Sequence, residues 1–363
     1  FKQKTAYEIK ECDWSSDVCS SDLSMKSWIA LLATTVLALP ALAQDRTRLQ
    51  VYSTLEVENI NDFKKAFESD NRDIEIVWRR DATGIVTAKI LAEQGAQRGD
   101  AIWGLAVTST MLLKARGLLE PYAPKNVEAL KPSFRDPSDP PSYTGMEGWV
   151  AAICYNTVEA QKLGLTKPTS WFDLLDPKFK GRITMPHPAS SGTGYFHVSA
   201  WIQTFGEAKA WDFMDKLHEN IAFYAHSGSQ PCKQAASGEF ALGISAETSA
   251  ADARTKGAPI EGLVMKEGGG WEMDTFAILK GTKNLAAAQR LMDFAASRKA
   301  NELYATFVSQ VAMPGIASNI PNYPPGVAES MIKNDFAWAS ENRARIIAEW
   351  TRRYEGKAAP KRN

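Results

Sequence analysis

Histidine and cysteine are scarce in this sequence, four of each among 363 residues. His187, His197, His218 and His226 form no pair at the spacing that sets two metal ligands on one helix face, so a helix-borne metal centre has no starting point. There is also no H-E-x-x-H, no G-x-S-x-G and no G-x-x-x-x-G-K-[ST]. Zinc-protease, α/β-hydrolase and P-loop readings therefore lack their minimal parts. A Ser-His-Asp triad assembled from distant residues has no such signature, so a hydrolase acting on phosphoesters or phosphonates stays open as the rival class. No catalytic residue, metal ligand or cofactor is assigned. Charge of one sign is not in excess either: 42 basic residues balance 42 acidic ones, which leaves no electrostatic footprint for nucleic acid or a membrane surface. No repeat with a period of 20 to 50 residues is present, which argues against a solenoid.

One apolar run stands near the start. Trp28 to Ala43 follows Met25 and Lys26, carries Thr34, Thr35 and Pro40, and ends Ala41-Leu42-Ala43. It is shorter than the roughly 20 apolar residues that a membrane crossing needs, and small residues close it, as in a secretory signal peptide. The expectation is a signal peptide over 25–43, preceded over 1–24 by a segment that is not native to the protein and ends in DWSSDVCSSDLS. No cysteine follows the expected cut, so the product should be a soluble periplasmic protein without a lipid anchor. Cys12 and Cys19 fall in the excluded segment. Cys154 and Cys232 remain, and an oxidising compartment favours one disulfide between them over two buried thiols.

From Leu49 onward short apolar strands alternate with amphipathic helices, the pattern of an α/β fold with a largely parallel sheet. Strands are expected at Leu49 to Thr54, Ile74 to Arg79 and Asp100 to Gly104, with helices at Ile60 to Ser69, Ile85 to Gln94 and Ser109 to Gly117. After the Pro/Ser/Asp-rich stretch Lys131 to Tyr143, Gly148 to Asn156 reads as a strand crossing to a second lobe. That lobe has a helix capped by Thr169 or Ser170, a strand at Arg182 to Pro186, a helix at Tyr195 to Phe205, a strand at Ala241 to Glu247 and a helix at Ser249 to Lys256. Glu272 to Gly281 returns, and helices follow at Asn301 to Phe307 and Ala328 to Arg353. The expected lobes are 44–147 with 281–363, and 148–280, forming a hinged clamp with its ligand in the interlobe cleft.

Candidate ligand contacts lie where strands give way to helices. Ser190-Ser191-Gly192-Thr193-Gly194 combines glycines that admit close approach, hydroxyl donors and a helix start that favours negative charge. A plain helix cap accounts for the same residues. In the other half Thr83 and Gly84 open a helix after a strand, Ser53 ends the first strand, and Ser227 lies in the donor-rich loop His226 to Ser229. A zwitterionic ligand would also need a carboxylate, for which Glu247 is the first choice with Glu56 and Asp81 as rivals. It would gain from an aromatic face, for which Trp271 is chosen over Trp103 and Trp149.

Taken in order, LQVYSTLE, RRDATGIVTAKILAE, AIWGLAVTS, WVAAICYNTVEA, KPTSWFDL, MPHPASSGTG, HSGSQPCK, ILKGTKN, KANELYA, VAMPG and IKNDFAWASENRARIIAEW run through the chain from Leu49. This set resembles the periplasmic 2-aminoethylphosphonate-binding proteins, within the type II group that includes ferric-binding proteins. The resemblance implies a two-lobed type II binding-protein fold with crossover strands, a non-enzymatic role as the solute-binding protein of an ABC importer, permease subunits as partners and a monomer. With the candidate contacts above, the expected arrangement is a phosphonate held by Thr83, Ser190, Ser191, Gly192 and Thr193 with an amine on Glu247. Other anions and ferric iron remain alternatives, although Ile244-Ser245-Ala246-Glu247-Thr248 lacks the adjacent tyrosines that resemble an iron site, and Ala246 and Thr248 stand where an aromatic would flank the glutamate.

Overall fold

Leu49 and Val51 are fully buried while Arg48 and Gln50, which alternate with them, are not, a period of two that only an extended chain can produce. In the computed structural model, which describes residues 46–360, this segment is β1 (Thr47–Ser53). The expected non-native segment 1–24 and signal peptide 25–43 lie outside the described residues.

The other strands are β2 (Ile74–Arg80), β3 (Ala101–Ala106), β4 (Leu119–Glu120), β5 (Thr144–Asn156), β6 (Ile183–Pro186), β7 (Ile221–Ala225), β8 (Leu242–Ala246), β9 (Ile260–Leu263), β10 (Trp271–Leu279) and β11 (Gln310–Val311). Their hydrogen-bonded order is β2-β1-β3-β10-β5-β8-β6-β7, with β4 on β10 and with β9 and β11 on β5. The flanks are parallel, β1 with β2 and β3, and β6 with β7 and β8. The middle departs from the expected parallel sheet: β10 is antiparallel to β3 and β5, and β5 is antiparallel to β8. A chain that leaves one half and later returns must run in opposite directions on its two passes. β5 starts opposite β10 and ends opposite β8 and β9, so this one long strand belongs to both halves.

The helices are α1 (Val57–Asp70), α2 (Thr83–Ala92), α3 (Val107–Ala115), α4 (Thr157–Lys162), α5 (Gly192–Phe205), α6 (Glu207–Asn220), α7 (Gln230–Ala236), α8 (Glu247–Thr255), α9 (Leu285–Ala295), α10 (Arg298–Tyr304), α11 (Val327–Ser330) and α12 (Phe336–Tyr354). The capped turn at Trp171–Leu175 is a 3₁₀ helix, with Ser170 as its cap. None of the described helices is long and apolar enough to cross a membrane.

Two apolar clusters make the lobes. One gathers Val51, Phe63, Trp103, Phe276 and Leu291, and the other Ile153, Trp171, Trp201, Phe213 and Ile244. The boundary expected at 281–363 does not describe α12, whose Ile346, Trp350 and Tyr354 pack in the second cluster. Ser340 of the same helix donates to the Thr108 carbonyl oxygen of α3 at 2.8 Å, so α12 ties the lobes together. The single helix expected over Ala328 to Arg353 is interrupted because Ile332 N–H donates to the Gly269 carbonyl oxygen and Gly269 N–H to that of Ser330. Backbone groups used in that bridge cannot continue a helix, and α12 restarts at Asp335, whose carboxylate accepts from Trp338 N–H at 2.9 Å.

Candidate functional site

The helix expected from Tyr195 begins one turn earlier, at Gly192, because Ser191 takes an extended conformation (φ −108°, ψ 130°) and its Oγ accepts from Gly194 N–H at 3.3 Å. Glycine is required at the next positions by space. A Cβ on Gly194 would lie 2.5 Å from the Pro186 carbonyl oxygen, and one on Gly192 would lie 2.7 Å from Thr83 Oγ1. The first amides of α5, Gly192 and Thr193, meet no acceptor among the described residues. They sit at the positive end of a 14-residue helix.

The start of α2 faces this turn from the other lobe. Thr83 is buried at its first position, close enough to Gly192 that only a glycine fits between them. Gly84 N–H donates across the gap to the Ser190 carbonyl oxygen at 2.8 Å. The two helix starts therefore do converge, but one of the α2 amides expected to hold a ligand is spent on the contact between lobes.

Around this point lies a cleft of ≈ 590 Å³. Its rim is latched by Glu56, whose Oε1 accepts from Ser229 Oγ at 2.8 Å and whose Oε2 accepts from Arg80 Nη2 at 3.1 Å, with Lys233 Nζ 3.8 Å away. Arg80 and Lys233 thus both face a carboxylate at the rim. The loop carrying Ser227 and Ser229 is held from behind, since Ser245 Oγ donates to the Gly228 carbonyl oxygen at 2.7 Å. A disulfide joins Cys154 of β5 to Cys232 of α7, next to the same loop.

The floor is made by the crossover strands. Glu147 of β5 and Asp274 of β10 are direct cross-strand partners, and both line the cleft. They hydrogen-bond to each other, and burial pushes both carboxyls upward from the usual range; the Asp274 charge adds to the rise of Glu147, whereas the hydrogen bond with Glu147 opposes that of Asp274, and the pair holds a proton. Trp149, two residues along β5, is half-buried and also lines the cleft.

Of the residues expected to contact a ligand, Thr83, Ser191, Gly192, Thr193 and Ser227 line the cleft. Five others are placed differently. Ser53 is fully buried, with its Oγ accepting from Leu55 N–H. Gly84 and Ser190 form the interlobe bond, and Ser190 Oγ donates to the His226 carbonyl oxygen at 3.1 Å. Trp271 donates its Nε1–H to the Ile332 carbonyl oxygen and packs edge-on against Phe336. Glu247 does not end a strand but opens α8, fully buried. Its Oε2 accepts from Val150 N–H at 2.7 Å and its Oε1 from Tyr323 OH at 3.0 Å. Burial lifts this carboxyl to about 7 while those donors oppose the rise. Among the alternative choices, Asp81 accepts from Ala82 N–H, and Trp103 is buried in the first core with its Nε1–H on Tyr304 OH. Glu147 and Asp274 were missed. Their signal was acidic residues inside two largely apolar strands, Glu147 in MEGWVAAICYN and Asp274, with Glu272, in WEMDTFAIL.

Residues 106–345 match the profile of a family described as bacterial extracellular solute-binding protein. An uncharacterized protein of Haemophilus influenzae is 31% identical over 284 residues, covering 77% of this chain and 82% of that one. Two solved structures share the two-lobed fold. The periplasmic binding protein AfuA from Actinobacillus pleuropneumoniae, with exogenous fructose-6-phosphate bound, superposes with a TM-score of 0.80 at 32% identity over 85% of this chain and 99% of that chain. The periplasmic binding protein P5PA does so with a TM-score of 0.77 at 28% identity over 85% and 100%.

Proposed function

Because the chain belongs to the family of bacterial extracellular solute-binding proteins, we propose that it captures a small organic phosphate or phosphonate in the periplasm and delivers it to the permease of an ABC importer. The observation that carries this reading is the start of α5, where two amides without acceptors and the hydroxyls of Ser191 and Thr193 border the cleft opposite Thr83. A tetrahedral oxyanion offers acceptors in every direction, and the helix dipole adds to its attraction. Hydrogen bonds to a charged group contribute roughly 1.5 to 3 kcal/mol each, so three or four reach the roughly −8 kcal/mol of a micromolar site.

Both 2-aminoethylphosphonate, to which the sequence resemblance points, and fructose 6-phosphate, the ligand of the similar AfuA structure, belong to this class. The cleft has room for either, and the reading keeps the chain a binder and not a hydrolase. Calorimetric titration with 2-aminoethylphosphonate, hexose 6-phosphates, methylphosphonate, inorganic phosphate and Fe(III) tests it. Micromolar or tighter binding of a phosphoryl or phosphonyl compound is expected. Binding of Fe(III) alone overturns the reading, and turnover of a phosphoester by the pure protein overturns its non-enzymatic part.

A further inference from the structure

The proposed anion site leaves the cleft floor unexplained. Glu147 and Asp274 are 1% and 5% exposed, yet they border a cleft large enough for a ligand. Beyond the proton the two carboxyls share, Glu147 Oε2 and Asp274 Oδ1 are buried and meet no donor among the described residues. Two acidic side chains side by side on the strands that join the lobes, with no donor but their shared proton, form an arrangement that a ligand's donors in the cleft would satisfy. Among the described residues no lysine or arginine forms an ion pair with them, and Glu247, expected to supply the carboxylate, is occupied by Val150 and Tyr323.

Resting on the reading above, we propose that Glu147 and Asp274 are the specificity-determining residues of the cleft, accepting hydrogen bonds from the end of the ligand remote from its phosphoryl group. That end must carry donors, as hydroxyls or as an ammonium, and the Trp149 indole beside it offers an apolar face to either. A purely alkyl end would leave both acceptors unpaired and is discriminated against.

The two kinds of donor differ in their proton balance. The pair keeps one proton between its carboxyls. An ammonium replaces that proton as the neutralising charge, and the proton leaves for buffer. A hydroxyl brings no charge, and the proton stays. The titratable neighbours that face the pair are Glu247, Glu272, Tyr304 and Tyr323. None is basic, so no other group would absorb the released proton at neutral pH.

The experiment is calorimetry on the wild-type protein in two buffers of different ionisation enthalpy, with ethylphosphonate, 2-aminoethylphosphonate and glucose 6-phosphate as probes. At least one donor-bearing probe should bind tenfold or more tightly than ethylphosphonate. Release of about one proton more than ethylphosphonate releases, which carries the phosphonyl group's own proton exchange, identifies the ammonium class, and no such excess the hydroxyl class. Glu147→Gln and Asp274→Asn should each remove at least tenfold of that preference while leaving ethylphosphonate binding within about threefold. Equal binding of all three probes, or variants that weaken every probe alike, overturns this inference and leaves the phosphoryl site standing. If no probe binds, the phosphoryl reading fails and this inference fails with it. Since the wild-type comparison needs no substitution, a variant that does not fold leaves the test intact.

Discussion

Gly84 N–H and the Ser190 carbonyl oxygen, 2.8 Å apart, join the start of α2 to the turn before α5 and so bring the two lobes into backbone contact beside the cleft. A Cβ on Gly84 would stand 1.9 Å from the Ala189 carbonyl oxygen. Gly84→Ala should therefore keep the lobes apart by an ångström or more. Ligand affinity should fall at least tenfold, whereas the melting temperature should hold or rise slightly, alanine being the better helix former. Calorimetry with thermal denaturation checks this, and an unchanged affinity would show that closure does not pass through this contact.

Thr193 Oγ1 faces both the cleft and the position a Gly228 Cβ would take, 2.3 Å from it. Removing that hydroxyl deletes one donor to a charged group, which is worth about 1.5 kcal/mol or more. Thr193→Ala should weaken binding of the phosphoryl ligand by about tenfold with little loss of stability. An unaltered dissociation constant would remove the α5 turn from the site.

Glu247 predicts the opposite pattern. Its carboxylate is fully buried and taken up by Val150 N–H and Tyr323 OH, so Glu247→Gln should lower stability by about 1–3 kcal/mol through a mispaired buried donor and leave affinity within about twofold. Denaturant titration and calorimetry on the same sample separate the two effects.

The Cys154–Cys232 bond spans 78 residues. Loop-closure entropy of that size corresponds to about 4 kcal/mol in the unfolded-state account, with measured losses commonly about 2–5. Reduction should shift the urea midpoint downward accordingly. Because the bond anchors the start of α7 beside Ser229, weaker ligand binding should accompany it.

His197 is fully enclosed between Trp171, Trp201 and Phe196, with its Nε2 on the Ser245 carbonyl oxygen. Burial lowers its pKa to about 4 from 6.5. The unfolded chain then takes up the proton first, so this contribution is complete above pH 6.5 and is lost as pH falls from there towards 4. The loss is of order 3 kcal/mol. His197→Gln should flatten that part of the stability–pH curve, and a slope equal to the wild type's would assign acid lability to other groups.

The strand at Leu49, the capped turn at Ser170 and the crossover at Gly148 to Asn156 were legible because local pattern decides them: alternation, a capping residue, an apolar run. The strand-to-helix turn that carries Ser191, Gly192 and Thr193 was legible for the same reason, although its helix begins at Gly192 and not at Tyr195. Glu247 was misplaced because a carboxylate at a strand-to-helix junction looks the same in sequence whether it meets a ligand or a neighbouring backbone. Trp271 failed likewise, its indole N–H being taken by Ile332, a residue 61 positions away.

The amino-acid order by itself determined the alternating α/β elements, the two glycine-and-hydroxyl turns and the scarcity of metal-binding side chains, since each depends on neighbours within a few positions. Only the tertiary structure decided that α12 fastens both lobes, that Gly84 is consumed at their junction, and that Glu147 meets Asp274 on the cleft floor. Those outcomes depend on which strands lie side by side, and strand pairing is settled by packing and burial over the whole chain.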